Sequence, residues 1–149
     1  MTRLLITGSR QASPEMLHYV YRLVEYAREK GWSIIVGDAE GVDSAVVDNC
    51  WAQGVAFTCY GISQRPRLPT CSVRGFIAAP EYEQVGRDYL DRDRYMVSQC
   101  DRVMAVWNGV SRGTRYTYDY AVAHHKKAEI RTFLVEGTEL YERITYPRP

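Results

Sequence analysis

The chain has 149 residues, the length of one domain and enough to bury a core without disulfides or metals, and 19 basic against 18 acidic residues leave a net charge of +1. That balance excludes a global basic field of the kind that drives non-specific binding to nucleic acid or to a membrane surface, so any recognition of an anion has to be local. Cys50, Cys59, Cys71 and Cys100 stand apart, with no Cys-x-x-Cys and no histidine at ligand spacing. They signal neither a zinc site nor a disulfide scaffold, and a cytoplasmic protein with reduced thiols and no bound metal is expected.

The opening Met1-Thr2-Arg3-Leu4-Leu5-Ile6 turns polar at Thr7-Gly8-Ser9-Arg10, too soon for a signal-peptide core. No stretch approaches the roughly 20 apolar residues of a membrane span. Leu4 to Thr7 reads as a buried strand feeding a loop. Ser13 offers an N-cap with Pro14 at the first helical position, and Met16, Val20, Leu23, Val24 and Ala27 recur at helical spacing until Gly31. Ser33 to Val36 is a second strand, broken by Gly37-Asp38-Ala39-Glu40-Gly41. Val42, Ala45, Val46 and Cys50 then mark a helix closed by Gly54, and Val55 to Tyr60 is a third strand.

Between Gly61 and Gln84 the periodicity fails at Pro66, Pro69 and Pro80, which predicts a long connection, over about residues 61–86, with room for a short hairpin. Tyr89, Met96, Val97 and Cys100 lie on a helix that also carries Arg92, Asp93 and Arg94. The last two strands are expected at Arg102 to Trp107 and at Ile130 to Val135, with a helix between them whose core face includes Tyr118, Ala121 and Val122. Repeated strand, turn and helix predict one α/β domain over 1–149: a Rossmann-like open parallel sheet of about five strands with helices on both faces.

In such a sheet, ligands bind outside the carboxyl ends of the strands. Three turns there share one chemistry: Gly8-Ser9-Arg10, Gly37 to Gly41, and Asn108 to Thr114. Gly113 permits close approach of a ligand, Ser111 and Thr114 supply hydroxyls at a helix start where backbone N–H groups are unpaired, and Arg112 suits phosphate oxygens. Simple helix capping by Ser111 and Thr114 is the plainer alternative. Asp38, Glu40 and Asp43 suit a ribose hydroxyl or acid–base work, with Asp43 equally suited to the helix dipole. Ligand contacts are thus expected from Gly8, Ser9, Arg10, Gly37, Asp38, Ala39, Gly41, Asp43, Arg92, Asn108, Gly109, Ser111, Arg112, Gly113, Thr114 and Thr117, and any catalytic role falls to Arg92, Asp38 and Glu40.

The turn after the first strand has a single glycine and so lacks the Gly-x-Gly-x-x-Gly fingerprint, and no Gly-x-x-x-x-Gly-Lys-Ser/Thr occurs. Neither a dinucleotide cofactor nor ATP hydrolysis is signalled, and no cofactor is expected. His18, His124 and His125 lie away from the three turns, which leaves a histidine base or a Ser/His/Asp triad without support.

Thr7-Gly8-Ser9-Arg10, Val36 to Asp43, Arg92 to Val97 and Trp107 to Thr114, in that order and spacing, resemble the SLOG superfamily, which joins the DNA-processing DprA/Smf proteins with the Lonely Guy enzymes, and in particular its small stand-alone YspA-type members. The resemblance implies a nucleotide-binding Rossmann-like sheet, often in a homodimer or higher homo-oligomer. Lonely Guy enzymes cleave the N-glycosidic bond of nucleoside monophosphates with a Gly-Gly-x-Gly-Thr-x-x-Glu loop and an arginine on the preceding helix. Arg92 is similar to that arginine and Ser111-Arg112-Gly113-Thr114 to that loop, but Thr117 occupies the glutamate position. A threonine cannot stabilise an oxocarbenium-like centre or activate water as a carboxylate does.

Binding of a nucleotide-like small molecule, as sensor or sequestering module, is therefore the first expectation. Glycosidic cleavage of a nucleoside 5′-monophosphate is the alternative. Single-stranded DNA binding comes third, through a local strip of Arg65, Arg67, Arg74 and Arg87 at a net charge that disfavours nucleic acid.

Overall fold

The computed structural model describes residues 1–68 and 81–134. Six strands form one all-parallel sheet in the order β4-β3-β2-β1-β5-β6, with β1 Arg3–Gly8, β2 Ser33–Gly37, β3 Phe57–Gly61, β4 Glu81–Gln84, β5 Arg102–Trp107 and β6 Lys127–Thr132. The helices are α1 Pro14–Lys30, α2 Val42–Gln53, α3 Tyr89–Gln99 and α4 Arg112–Ala123.

The apolar runs of the inner strands dictate this arrangement, because side chains alternate across a strand and a continuous run has to be covered twice. Leu4, Ile6, Ile34 and Val36 pack beneath α1 and α2 with Val20, Val24, Val46 and Val47. Leu5, Ile35, Tyr60 and Val103 pack on the other face beneath α3 and α4 with Met96, Val97 and Ala121. Each valine, leucine, isoleucine or methionine among them contributes about 1.5–3 kcal/mol relative to exposure, so a polar residue at those positions is disfavoured.

Local signals fix the ends. The Ser13 Oγ accepts from the Met16 N–H at 3.3 Å and Pro14 opens α1, which stops at Gly31. At the start of α2, Gly41 has φ +80, a backbone region that favours glycine, and an added Cβ there would run into the Arg10 carbonyl.

Three expectations are corrected. The sheet has six strands, because the proline-broken connection ends in β4, which pairs parallel to β3 as Cys59 opposite Tyr82 and Tyr60 opposite Glu83; among the described residues it makes no hairpin. Its Glu-Tyr-Glu-Gln sequence carries no apolar run, since an edge strand needs none. The last strand begins three residues earlier than Ile130, because His125 at φ 59 turns the chain directly out of α4; Val135 lies outside the described residues. On α4 the buried face is Thr114, Thr117 and Ala121, while Val122 is exposed and Tyr118 half-buried. Small side chains let this helix approach α3 and the sheet closely.

The strand order reverses at β1, where the chain first adds β2, β3 and β4 on one side and later β5 and β6 on the other. Where the connections diverge in such a sheet, the topology places a crevice at the carboxyl ends of the two strands, here β1 and β5, and the turns considered next stand at those ends.

Candidate functional site

Three turns meet at that crevice, tied together by one buried residue. The Ser9 Oγ accepts from the Asn108 N–H at 3.0 Å, the Ser9 carbonyl accepts from the Val42 N–H at 3.1 Å, and the Ser9 N–H donates to the Val106 carbonyl at 3.2 Å. Ser9 thereby couples the end of β1 to β5 and to the start of α2, and its hydroxyl accepts from Asn108, at 0% exposure. Gly8 lies against Val42, with no room for a side chain, whereas Arg10 and Glu40 are exposed.

Next to these turns is a buried cluster of opposite charges. Asp38, just past β2 and 1% exposed, accepts from Arg92 Nη1 at 3.0 Å, from Arg67 Nε at 3.0 Å and Nη2 at 2.8 Å, and from the Arg67 backbone N–H at 2.9 Å. Arg92, in the first turns of α3, turns its other edge to Asp93, whose Oδ1 accepts from Nε at 3.1 Å and Nη2 at 2.9 Å. Asp43, in the first turn of α2, accepts from the Ala39 N–H at 3.1 Å. Gly37 makes this proximity possible: a Cβ there would stand 2.7 Å from Arg92 Nη1 and 2.8 Å from Asp43 Oδ2.

Burial sets the electrostatics. It pushes the Asp43 carboxyl up to about 6, against the pull of Arg92 and the Ala39 N–H. Asp93 is raised by burial as well, with Arg92 opposing. Burial works against the Arg92 charge, but Asp93, Asp43 and Asp38 more than offset it, so its pKa lies above the usual arginine value. Arg92 therefore stays charged as the counterion of the cluster.

The third turn enters α4. Asn108 Oδ1 accepts from the Val110 N–H at 2.9 Å and the Ser111 N–H at 3.0 Å, and Ser111 Oγ caps the helix by accepting from the Thr114 N–H at 3.4 Å. Ser111 Oγ and Thr114 Oγ1 share a hydrogen bond of 3.0 Å, and Thr114 is 2% exposed. Capping thus uses amides that an anion would otherwise take, and Gly109, buried at φ +88, shapes the turn. The Gly113 N–H, in the first turn of α4, has no partner among the described residues, and nothing lies within 4 Å of the position a Cβ would occupy there. Arg112 beside it is exposed. Among the described residues, the Gly113 amide is thus left open at this helix start, with free space at the position of its missing side chain.

The three turns come together as the sequence implies, with Arg92 brought to Asp38 and Asp43. Thr117, 1% exposed, faces inward: its hydroxyl is 2.9 Å from the Gly113 carbonyl and also within hydrogen-bonding reach of Asp93, so its one proton serves one of them at a time. Sequence reasoning passed over Asp93, Tyr89 and the role of Arg67. An acid next to the singled-out Arg92 was a usable signal; Arg67 sits in the proline-broken stretch, where no periodicity points to it.

Among the described residues there is no group of three or more His, Cys, Asp or Glu side chains able to hold a metal ion, and no helix long and apolar enough to cross a membrane. Cys50, Cys59 and Cys100 are buried free thiols; burial raises the Cys50 pKa and pushes that of Cys100 up to about 11, which leaves both unreactive. Cys71 and Arg74 lie outside the described residues.

No protein-family model and no curated protein sequence matches the chain. Solved structures do. A molybdenum cofactor binding protein from Rippkaea orientalis is 18% identical with a TM-score of 0.70, over 97% of this chain and 84% of that one. The molybdenum cofactor (Moco) carrier protein of Chlamydomonas reinhardtii is 13% identical with a TM-score of 0.67, over 97% and 84%. The single-stranded-DNA-binding DNA processing protein A of Helicobacter pylori is 17% identical with a TM-score of 0.64, over 87% of this chain and 64% of that one. These likenesses define an α/β protein with a Rossmann-like sheet. More particularly, the chain shares the fold of these three neighbours along nearly its whole length.

Proposed function

We propose that this protein binds a phosphate-bearing, nucleotide-derived small molecule at the carboxyl ends of β1, β2 and β5, as a sensor or sequestering module. The observation that carries the reading is the Gly113 N–H at the start of α4, without a partner among the described residues and beside open space at its Cβ position, next to the exposed Arg112 and at the strand ends where this class of sheet takes its ligands. The helix dipole adds to the attraction of that amide for an anion. Arg10 stands on the neighbouring turn, exposed and available to the same guest. Ligand binding by a molybdenum-cofactor-binding neighbour supports the general class, and the DNA-processing neighbour makes a single-stranded oligonucleotide a necessary member of the test panel.

Calorimetry against nucleoside mono- and cyclic monophosphates and a short single-stranded oligonucleotide tests the proposal. A mononucleotide is expected to bind, and Gly113→Ala to weaken it at least tenfold, because the added methyl fills the approach to the amide. No binding across the panel, or equal binding by the variant, contradicts it.

A second reading, cleavage of the N-glycosidic bond of a nucleoside 5′-monophosphate, is favoured by one further observation. Asp93 brings a buried carboxylate beside Thr117 and against Arg92, close to the position where the resemblance expects a glutamate. A carboxylate there is suited to stabilise positive charge developing on a ribose ring. Release of free base from adenosine 5′-monophosphate, followed by chromatography and lost in Asp93→Asn, supports this reading; no release by the wild-type protein rejects it.

A further inference from the structure

Arg92 and Arg67 share one carboxylate but differ in what they have left to give. Arg92 is 7% exposed, and all three of its guanidinium nitrogens are engaged, Nε and Nη2 by Asp93 and Nη1 by Asp38. Its side chain acts as a post. Arg67 reaches Asp38 only through its Nε/Nη2 edge, chelating Oδ1, while its backbone N–H takes Oδ2. The outer fork, Nη1 with the second N–H of Nη2, has no partner among the described residues, and the side chain is 32% exposed.

The orientation of that fork is fixed from three sides. Asp38 holds the inner edge, and the Tyr89 ring lies under the guanidinium, 4.0 Å from its carbon to the ring centroid, with Arg92 5.0 Å from the same ring. The segment leading to Arg67 is pinned by β4 and the residue after it: Tyr82 Oη donates to the Ser63 carbonyl at 2.6 Å, Gln84 Nε2 to the Ile62 carbonyl at 3.2 Å, and the Val85 N–H to the Gly61 carbonyl at 2.8 Å. Gly61 itself has to be glycine for this, since a Cβ would stand 2.7 Å from Asp38 Oδ2. A pre-set planar fork with two parallel N–H groups is the geometry that recognises phosphate or carboxylate oxygens in pairs.

We infer that Arg67 is a second anion-reading point of the rim, with Asp38 and Tyr89 as its positioning residues and Arg92 as the buried counterion that keeps Asp38 in place. Asp38, which holds Arg67, follows β2, and Asn108, which leads to the seat at α4, follows β5, with β1 between them, so the strand ends that carry the two points are two strand spacings apart, about 10 Å. Two acidic groups of one ligand suit that separation better than a single phosphate. Taken with the anion seat at α4 on which the proposed function rests, the geometry calls for an extended ligand with acidic groups at two ends, larger than a singly phosphorylated nucleoside.

Phenylglyoxal labelling of the whole wild-type chain, read arginine by arginine by peptide mass spectrometry, tests Arg67 without any nucleotide. Inorganic pyrophosphate is the probe, sodium chloride holds the ionic strength constant, and Arg87, whose side chain is 96% exposed, serves as internal reference. Arg67 is expected to label readily and Arg92 slowly, and pyrophosphate to slow Arg67 at least tenfold while Arg87 is unchanged. The same protection is expected in Gly113→Ala, which separates this point from the seat at α4, so failure of the nucleotide panel and failure of Arg67 are distinct results. Unslowed labelling of Arg67 under pyrophosphate, slowing that appears at Arg92 instead, or protection lost in Gly113→Ala overturns the inference.

Discussion

Asp43 is a residue of the proposed site whose titration is set by burial. Its carboxyl titrates at about 6 in the folded chain against 3.8 when free, a difference worth on the order of 3 kcal/mol. The sign follows from which state holds the proton. Between about pH 4 and pH 6 the folded chain binds a proton at this position that the unfolded chain has already released, so Asp43 favours folding at the acid end and loses that advantage as pH rises. Asparagine keeps an oxygen for the Ala39 N–H and carries no charge to desolvate. Thermal melts from pH 4 to 7 should therefore show the stability difference between Asp43→Asn and wild type moving in favour of the variant by several degrees as pH rises through 6. A difference that stays constant with pH would mean that Asp43 is not held in its raised state by burial.

Part of this residue-level picture is readable in the sequence. Asp38, Asp43 and Arg92 declare themselves as charged residues at strand ends and at the start of a helix. That they converge is a consequence of topology, which brings the start of α3 back over β2. Arg67 and Asp93 are harder to find, because an arginine in a turn and an acid on a helix are normally solvated, and only the buried partner on Asp38 or Arg92 gives them another role.

At the scale of elements, the glycines of the three turns at the strand ends divide into Gly8, Gly37, Gly41 and Gly109, which are packed, and Gly113, which is open. Gly8 is pressed by Val42 of α2, so a methyl there forces the helix off β1. Gly113 has free space and sits in the first turn of α4, where alanine is the better helix former. Urea denaturation should show Gly8→Ala losing about 1–3 kcal/mol or more. Gly113→Ala should hold its stability or gain up to about 1 kcal/mol. A comparable loss in both variants would mean that the α4 turn is architectural.

Strands with apolar runs were legible for the same reason that they are central: Leu4 to Ile6, Ile34 to Val36 and Val103 to Val106 are covered on two faces. Of the edge strands, β4 was not legible, and β6 was expected from Ile130 onward but with its start missed. In β6, Lys127, Glu129 and Arg131 alternate with Ala128 and Ile130 across a half-exposed edge, and β4 is four residues of mostly polar sequence. Neither produces the run by which a buried strand is recognised.

For the whole molecule, the sheet order fixes one crevice, and every proposed contact lies at its rim: the anion seat at α4, the carboxylates and Arg92 behind it, and Arg67 across from it. The net charge of +1 is consistent with local pairing, since the buried carboxylates are matched to guanidinium groups a few ångströms away. On the proposed function, recognition depends on a few donors placed by topology, with little contribution from the field of the whole protein. Other concave surfaces exist, among them a groove beside Tyr19 and Phe133 at the flank of α1, and they offer a clear alternative address for a ligand.

Backbone amide NMR during titration with adenosine 5′-monophosphate separates these addresses in one measurement. The Gly113 amide is expected to shift the most, toward the stronger hydrogen bond, with Ser9, Gly37 and Asn108 following. Saturating binding that leaves Gly113 in place and moves Tyr19, Arg131 and Phe133, or no shift at all, contradicts the account.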